Sequence, residues 1–197
     1  WPRRVHDEFL QKTSEDGRRL LTTEYDIAVG ELQSADLNAV ALEVPDNRRA
    51  WVVALNSGLH AFVYGFARAL AATIAMAPDT GGPEHPPPLA VDEAASKVAR
   101  MVRYYVHVGV PLQDDWELSD PHSHLASRVT TMAVRFVYLH EISHILLNHT
   151  SAGARHVVPL DHDEPRCLLL EHEQEHEADL LAWNLLVSVL LPERGRL

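Results

Sequence analysis

The chain has 197 residues, of which 46% are hydrophobic and 23% are charged, so it is long enough to bury a core of its own. This composition excludes collagen-like, low-complexity and wholly disordered proteins. Seventeen basic and 28 acidic residues give a formal net charge of −11, which repels phosphate backbones, so we expect no nucleic-acid partner. Cys167 is the single cysteine, which excludes an intrachain disulfide and a cysteine-rich zinc cluster.

The first third of the chain contains patterns typical of helices and a pattern typical of a strand. Residues 5–20 are polar with weak helical spacing, whereas large apolar residues alternate over 38–44 and predict a short strand that Pro45 ends. Apolar residues then recur at helical spacing and predict one long helix over about 48–76, with Asp46 as its cap.

Part of this predicted helix raises the question of a membrane span. Residues 50–67 contain no Asp, Glu, Lys or Arg, but Asn56 and His60 lie inside the stretch. A spanning helix needs about 20 mostly apolar residues, so we interpret the segment as a buried core helix and expect no membrane contact. Because the start of the chain lacks an apolar signal core and the lone cysteine suits a reducing compartment, we expect a cytoplasmic protein.

The rest of the chain is predicted to be helical. Five prolines and two glycines in residues 77–90 predict a loop. A mixed connector follows later over 150–167, in which residues 155–159 are compatible with a brief edge strand. Helical spacing predicts three helices at about 91–107, 122–149 and 166–191. The fold class is therefore mainly α (α+β), with a small β-sheet.

Histidines are concentrated in one part of the chain. Nine of the 13 fall between residues 122 and 176, and His140-Glu141-Ile142-Ser143-His144 forms an H-E-x-x-H motif. Residues four apart share a helix face, so His140 and His144 can hold one ion. Glu141 is rotated about 100° from His140, which places its carboxylate beside that ion, where it can hold a water. The flanking sequence is apolar, and burying these polar groups is costly unless a metal satisfies them.

A catalytic zinc site uses three protein ligands, so one more is needed. The extended motif H-E-x-x-H-x-x-G-x-x-H, which supplies a third histidine, is absent. Leu147 stands at the position of its glycine, and Thr150 stands at the position of its third histidine. In the last helix, Glu175 and Asp179 lie four residues apart on one face, so we select Glu175 as the ligand and Asp179 as the acceptor of the outer N–H of a ligand histidine. Three rival ligands remain open: Glu171, His172 and His149.

Two segments carry a resemblance to a known group, YLHEISHILLNH at 138–149 and EHEADLLA at 175–182. They resemble the gluzincin zinc peptidases, in particular those with H-E-x-x-H followed by E-x-E-A-D-x-x-A, such as the heat-shock membrane protease and the CAAX prenyl proteases. Lit-type phage-exclusion peptidases and ImmA-type repressor-cleaving peptidases have similar helices. The resemblance implies a zincin-like helical domain whose ligands are His140, His144 and Glu175. It also implies that Glu141 is the general base and that Asp179 accepts a hydrogen bond from the outer N–H of a ligand histidine.

The resemblance covers about 122–186 and divides the chain by role. We predict an N-terminal helical region of unknown role over 1–120 and a zincin-like metal-binding region over 121–197, which together form one compact unit. Many gluzincins place an oxyanion-stabilising side chain after the glutamate ligand, and only 22 residues follow Glu175. The sequence leaves six candidates for that role: His176, His172, His156, Arg155, Tyr138 and Tyr104.

These observations predict a zinc metallopeptidase with one Zn²⁺ per chain. Its substrate would be a protein or peptide, hydrolysed by a zinc-bound water that Glu141 activates. One alternative is a non-haem iron oxygenase, because such enzymes also use two histidines and one carboxylate. Another is a non-catalytic regulatory domain that holds a metal for stability, which a fourth protein ligand such as His149 or His172 would favour. The sequence does not indicate an oligomeric state.

Overall fold

The computed structural model describes residues 2–13, 15–75, 88–112, 117–149 and 165–190. It is mainly helical with a small sheet, which confirms the predicted fold class. The described elements, in chain order, are α1 (Pro2–Lys12), α2 (Glu15–Glu24), β1 (Asp26–Leu32), β2 (Ala39–Val44), β3 (Asn47–Asn56), α3 (Ser57–Ala72), α4 (Val91–Val108), α5 (Asp120–Leu146) and α6 (Pro165–Leu190).

The chain divides into two compact units, each assembled from separate segments. The first unit comprises Trp1–Glu31, Ala39–Leu55 and Arg135–Leu197. The second comprises Leu32–Asn38 and Asn56–Val134. The division of roles at residue 120 that the sequence suggests stays a prediction.

The described strands form one three-stranded sheet in the order β1-β3-β2. β2 and β3 are antiparallel, and Ala39 lies opposite Leu55 at one end while Val44 lies opposite Asn47 at the other. The turn between them contains Asp46, whose φ of 64° is in the left-handed region. This region is accessible to aspartate, because its short polar side chain tolerates it better than most.

This hairpin corrects the predicted helix over 48–76, since residues up to Asn56 form β3 and the helix begins at Ser57. Asp46 therefore lies in a β-turn and caps no helix. The apolar spacing was ambiguous, because Trp51 and Leu55 share a side in a strand as well as in a helix. Pairing with β2 and the buried, β-branched Val53 favour the strand.

In the first unit, the described core contains side chains from α1, β3, α5 and α6. On α5 these are Tyr138, Ile142 and Ile145, each 1% exposed. On α6, Ala178 and Ala182 are fully buried, which sets the face that this helix turns inward. Small side chains let a helix pack closely against its neighbours.

In the second unit, α3 packs against α4. Phe62 and Tyr105 meet edge to face with ring centroids 6.1 Å apart. A Cβ at Gly65 would lie 2.4 Å from Cε of Met101, so the absence of a side chain lets the two helices approach. None of the helices in the described ranges has the length and hydropathy of a membrane-spanning segment.

The three long helices predicted for the second half are confirmed as α4, α5 and α6, with ends shifted by at most a few residues. The predicted strand over 38–44 is confirmed as β2. The prediction of an edge strand at 155–159 and most of the predicted loop over 77–90 lie outside the described residues.

Candidate metal centre and active site

Three side chains of the first unit converge on one point. His140 and His144, one turn apart on α5, place their Nε2 atoms 2.9 Å from each other. Glu175 on α6 places Oε2 3.0 Å from Nε2 of His140 and Oε1 3.5 Å from Nε2 of His144. One ligand atom from each residue lies within 4.8 Å of the others, as a shared cation requires.

These residues fit a zinc ion by distance and by chemistry. Donors about 2.0–2.1 Å from a tetrahedral zinc lie about 3.3 Å from one another, close to the separations observed. Two imidazole nitrogens and one carboxylate are also the donor set of catalytic zinc sites that keep an open position. Burial lowers the pKa of His144, which favours the neutral imidazole that a metal needs.

The outer nitrogen of His140 has a carboxylate partner. Oδ1 of Asp179 lies 2.9 Å from Nδ1 of His140, so the Nδ1–H group donates to it. A proton on Nδ1 leaves the Nε2 lone pair facing Glu175 and His144. Asp179 is therefore placed to fix the tautomer and the ring orientation of His140.

The rival third ligands are arranged differently. His172 is exposed on α6, and the side chain of Glu171 lies outside the described part of the chain. His149 contacts His144 through the two Nδ1 atoms, at 3.2 Å, and therefore approaches from the side opposite to the Nε2 cluster. Among these candidates and Glu175, only Glu175 is described as reaching both Nε2 atoms.

Glu141 lies next to this cluster, and its environment shifts its pKa. Burial raises the pKa of Glu141 to about 7, and the charge of Glu175 acts in the same direction. The charge of His140 and a hydrogen bond from the backbone N–H of Ala41 oppose that rise. A carboxylate whose pKa lies near neutrality is suited to accepting and returning a proton.

Sequence reasoning missed two features of this site. Ala41 lies on β2, and an alanine in a strand carries no signal that its amide will meet a carboxylate on a distant helix. His149 and Glu177 form a contact of 3.1 Å between Nε2 and Oε2. Neither contact follows from spacing along the chain.

The described candidates for an oxyanion-stabilising side chain make no recorded contact with His140, His144 or Glu175. The Tyr138 hydroxyl is buried and hydrogen-bonded to Nδ1 of His6, and burial raises its pKa well above the usual range. His176, like His172, is exposed. Tyr104 belongs to the other unit, and Arg155 and His156 lie outside the described residues.

Comparison with known families decides the class of protein. Residues 90–194, more than half of the chain, match the model of the family Peptidase U49. The chain belongs to the Peptidase U49 family. This peptidase is thus a hydrolase that acts on protein or peptide substrates. The matched region contains α4, α5 and α6 with all five candidate site residues. No curated protein and no solved structure matches the chain.

Proposed function

We propose that this peptidase is a zinc-dependent metallopeptidase of the gluzincin type, with one Zn²⁺ per chain. In this proposal His140, His144 and Glu175 are the zinc ligands and Glu141 is the general base. The observation that carries the proposal is the convergence of two Nε2 atoms and one carboxylate, with separations of 2.9–3.5 Å, beside Glu141. Membership of a peptidase family supports a hydrolytic use of that cluster.

Each side chain then has a defined task. A bound zinc ion supplies Lewis acidity, which polarises a scissile carbonyl and lowers the pKa of a water. Glu141 accepts a proton from the attacking water at its carboxylate and delivers it to the leaving amine nitrogen. The Ala41 amide holds that carboxylate in place, and Asp179 keeps His140 in the tautomer that offers Nε2.

Two alternatives are less well supported. A non-haem iron oxygenase would use the same two histidines and one carboxylate, but membership of a peptidase family favours hydrolysis. A purely structural metal site prefers four closed protein ligands. Against it, His149 lies near the Nδ1 side of His144, and the described residues supply three protein donors to the Nε2 cluster.

Metal-depletion experiments test the proposal. The protein is purified without added metal, its zinc and iron are measured by elemental analysis, and cleavage of a peptide library is followed by mass spectrometry. We expect a chelator to abolish cleavage and zinc to restore it, with His144→Ala as the control that cannot be reloaded. Restoration by ferrous iron but not by zinc, or cleavage that persists in the fully metal-free protein, would contradict the proposal.

A further inference from the structure

After α5 ends, the chain turns back toward His144, the second histidine of the motif. After Leu146, the backbone N–H of Asn148 donates to the carbonyl of Ile145 at 3.1 Å, and that of His149 donates to the carbonyl of His144 at 3.0 Å. Asn148 has a φ of 58°, in the left-handed region that terminates helices and that asparagine tolerates. This reversal places the His149 ring against the His144 ring.

Three side chains then form a continuous line of contacts. The rings of His144 and His149 meet edge to face with centroids 5.3 Å apart, and their Nδ1 atoms are separated by 3.2 Å. Nε2 of His149 lies 3.1 Å from Oε2 of Glu177 on α6. The His149 side chain is 9% exposed, whereas that of Glu177 is 62% exposed. The line therefore runs from the candidate ligand outward to a carboxylate at the surface.

The protons on this line can be assigned from one requirement. If Nε2 of His144 offers its lone pair to a metal, its single proton must be on Nδ1. That Nδ1–H donates to Nδ1 of His149, which must then be an unprotonated acceptor. His149 consequently carries its own proton on Nε2, where it donates to Glu177. Each ring nitrogen along this line is therefore either a donor or an acceptor, and each donor faces an acceptor.

We propose that His149 and Glu177 are positioning residues that orient His144 toward the metal. This inference rests on the proposed zinc site. Nδ1 of His140 contacts the carboxylate of Asp179 directly. Nδ1 of His144 is instead connected to the carboxylate of Glu177 through the imidazole of His149. The two ligand histidines are thus supported from the same helix, α6, by one short and one long connection. His149 acts through His144 and is not itself a ligand.

Zinc affinity is the first readout, measured by competition with a chromophoric chelator. Loss of an outer hydrogen-bond partner of a ligand typically weakens metal binding about 10- to 100-fold. We expect that loss for His149→Ala and for Glu177→Ala. Glu177→Gln keeps an acceptor oxygen and should stay closer to the parent. Glu173→Gln removes the same charge one turn earlier on α6 and should leave the affinity unchanged.

A double variant separates action through His149 from direct attraction between Glu177 and the metal. If Glu177 acts through His149, the variant with both residues changed to Ala should bind zinc no more weakly than His149→Ala alone. A direct electrostatic effect would make the two losses add. The rise in melting temperature that added zinc produces should shrink with the affinity in these variants.

The outcomes distinguish this inference from the proposed function. If the parent binds no zinc, or if His144→Ala binds it normally, the proposed site itself is wrong. If the parent binds zinc through His144 but His149→Ala binds it equally tightly, only the positioning role is overturned. It is also overturned if His149→Ala loses zinc as completely as His144→Ala, since His149 would then be a ligand. Additive losses in the double variant would overturn the connection through His149.

Discussion

His140 is held on both ring nitrogens by carboxylates from a single helix. Oε2 of Glu175 lies 3.0 Å from Nε2, and Oδ1 of Asp179 lies 2.9 Å from Nδ1. The two carboxylates are four residues apart, so α6 presents both from one face and they bracket the imidazole. One of them faces the candidate metal position, and the other fixes the proton on the far side of the ring.

Asp179 should therefore control metal affinity without being a ligand. We expect Asp179→Ala to weaken zinc binding about 10- to 100-fold, because the tautomer and orientation of His140 would no longer be fixed. Asp179→Asn keeps an acceptor oxygen and should lose less. The measurement is zinc affinity by chelator competition. Equal zinc affinities for the parent and Asp179→Ala would contradict the prediction that Asp179 orients His140.

Glu175 should be the third ligand. Glu175→Ala should lose zinc and activity together, since two histidines alone leave the site one donor short. His172→Ala and Glu171→Ala should keep the zinc stoichiometry of the parent, near one per chain. Elemental analysis of the dialysed proteins provides the measurement. Full zinc in Glu175→Ala with loss in either of the other two variants would reassign the ligand.

Glu141→Gln should separate catalysis from metal binding. Glutamine keeps the size of the side chain but cannot accept the proton of the water, so peptide cleavage should fall about 10²- to 10⁴-fold. Zinc content and melting temperature should stay near those of the parent. His140→Ala is the contrasting variant, which should lose zinc, activity and some stability together. An unchanged cleavage rate in Glu141→Gln would contradict the hydrolytic mechanism.

His6 should make the stability of the first unit depend on pH. Burial lowers the pKa of His6 below its ordinary value of 6.5, outweighing the opposite effect of Asp7. The unfolded chain therefore binds a proton at His6 more readily, and the free energy of unfolding decreases as the pH falls below about 6.5.

His6→Gln removes this titration. Between about pH 7 and pH 5 its free energy of unfolding, measured by denaturant titration, should decrease less than that of the parent. His124→Gln, at an exposed histidine, is the matched control and should follow the parent. Parallel pH profiles for His6→Gln and the parent would show that His6 is not the source.

Gly58 should be intolerant of a side chain. A Cβ at this position would lie 2.2 Å from the carbonyl oxygen of Ala35, and its own N–H donates to the carbonyl of Ser34 at 2.8 Å. Because backbone meets backbone there, Gly58→Ala should cost about 1–3 kcal/mol and lower the melting temperature. Gly30→Ala is the control, since its Cβ would meet nothing within 4 Å. Similar melting temperatures for the two variants would disprove the clash.

Periodicity predicted the long helices and β2 but assigned β3 to a helix. α4, α5 and α6 are long, and their apolar residues repeat over several turns, so their pattern excludes a strand. β3 has 10 residues, and the spacing of Trp51 and Leu55 fits both kinds of structure. Pairing with β2 decides for the strand, and this partner is supplied by another part of the chain.

The sequence by itself determined which residues can act together: the spacing of His140 and His144 requires a shared face, and so does that of Glu175 and Asp179. Only the tertiary structure decided that these two faces meet. The rotation of α6 about its axis depends on what it buries, and fully buried Ala178 and Ala182 orient this helix so that Glu175 and Asp179 reach the imidazoles. The turn that brings His149 to His144 likewise depends on a single backbone conformation at Asn148, which periodicity does not encode.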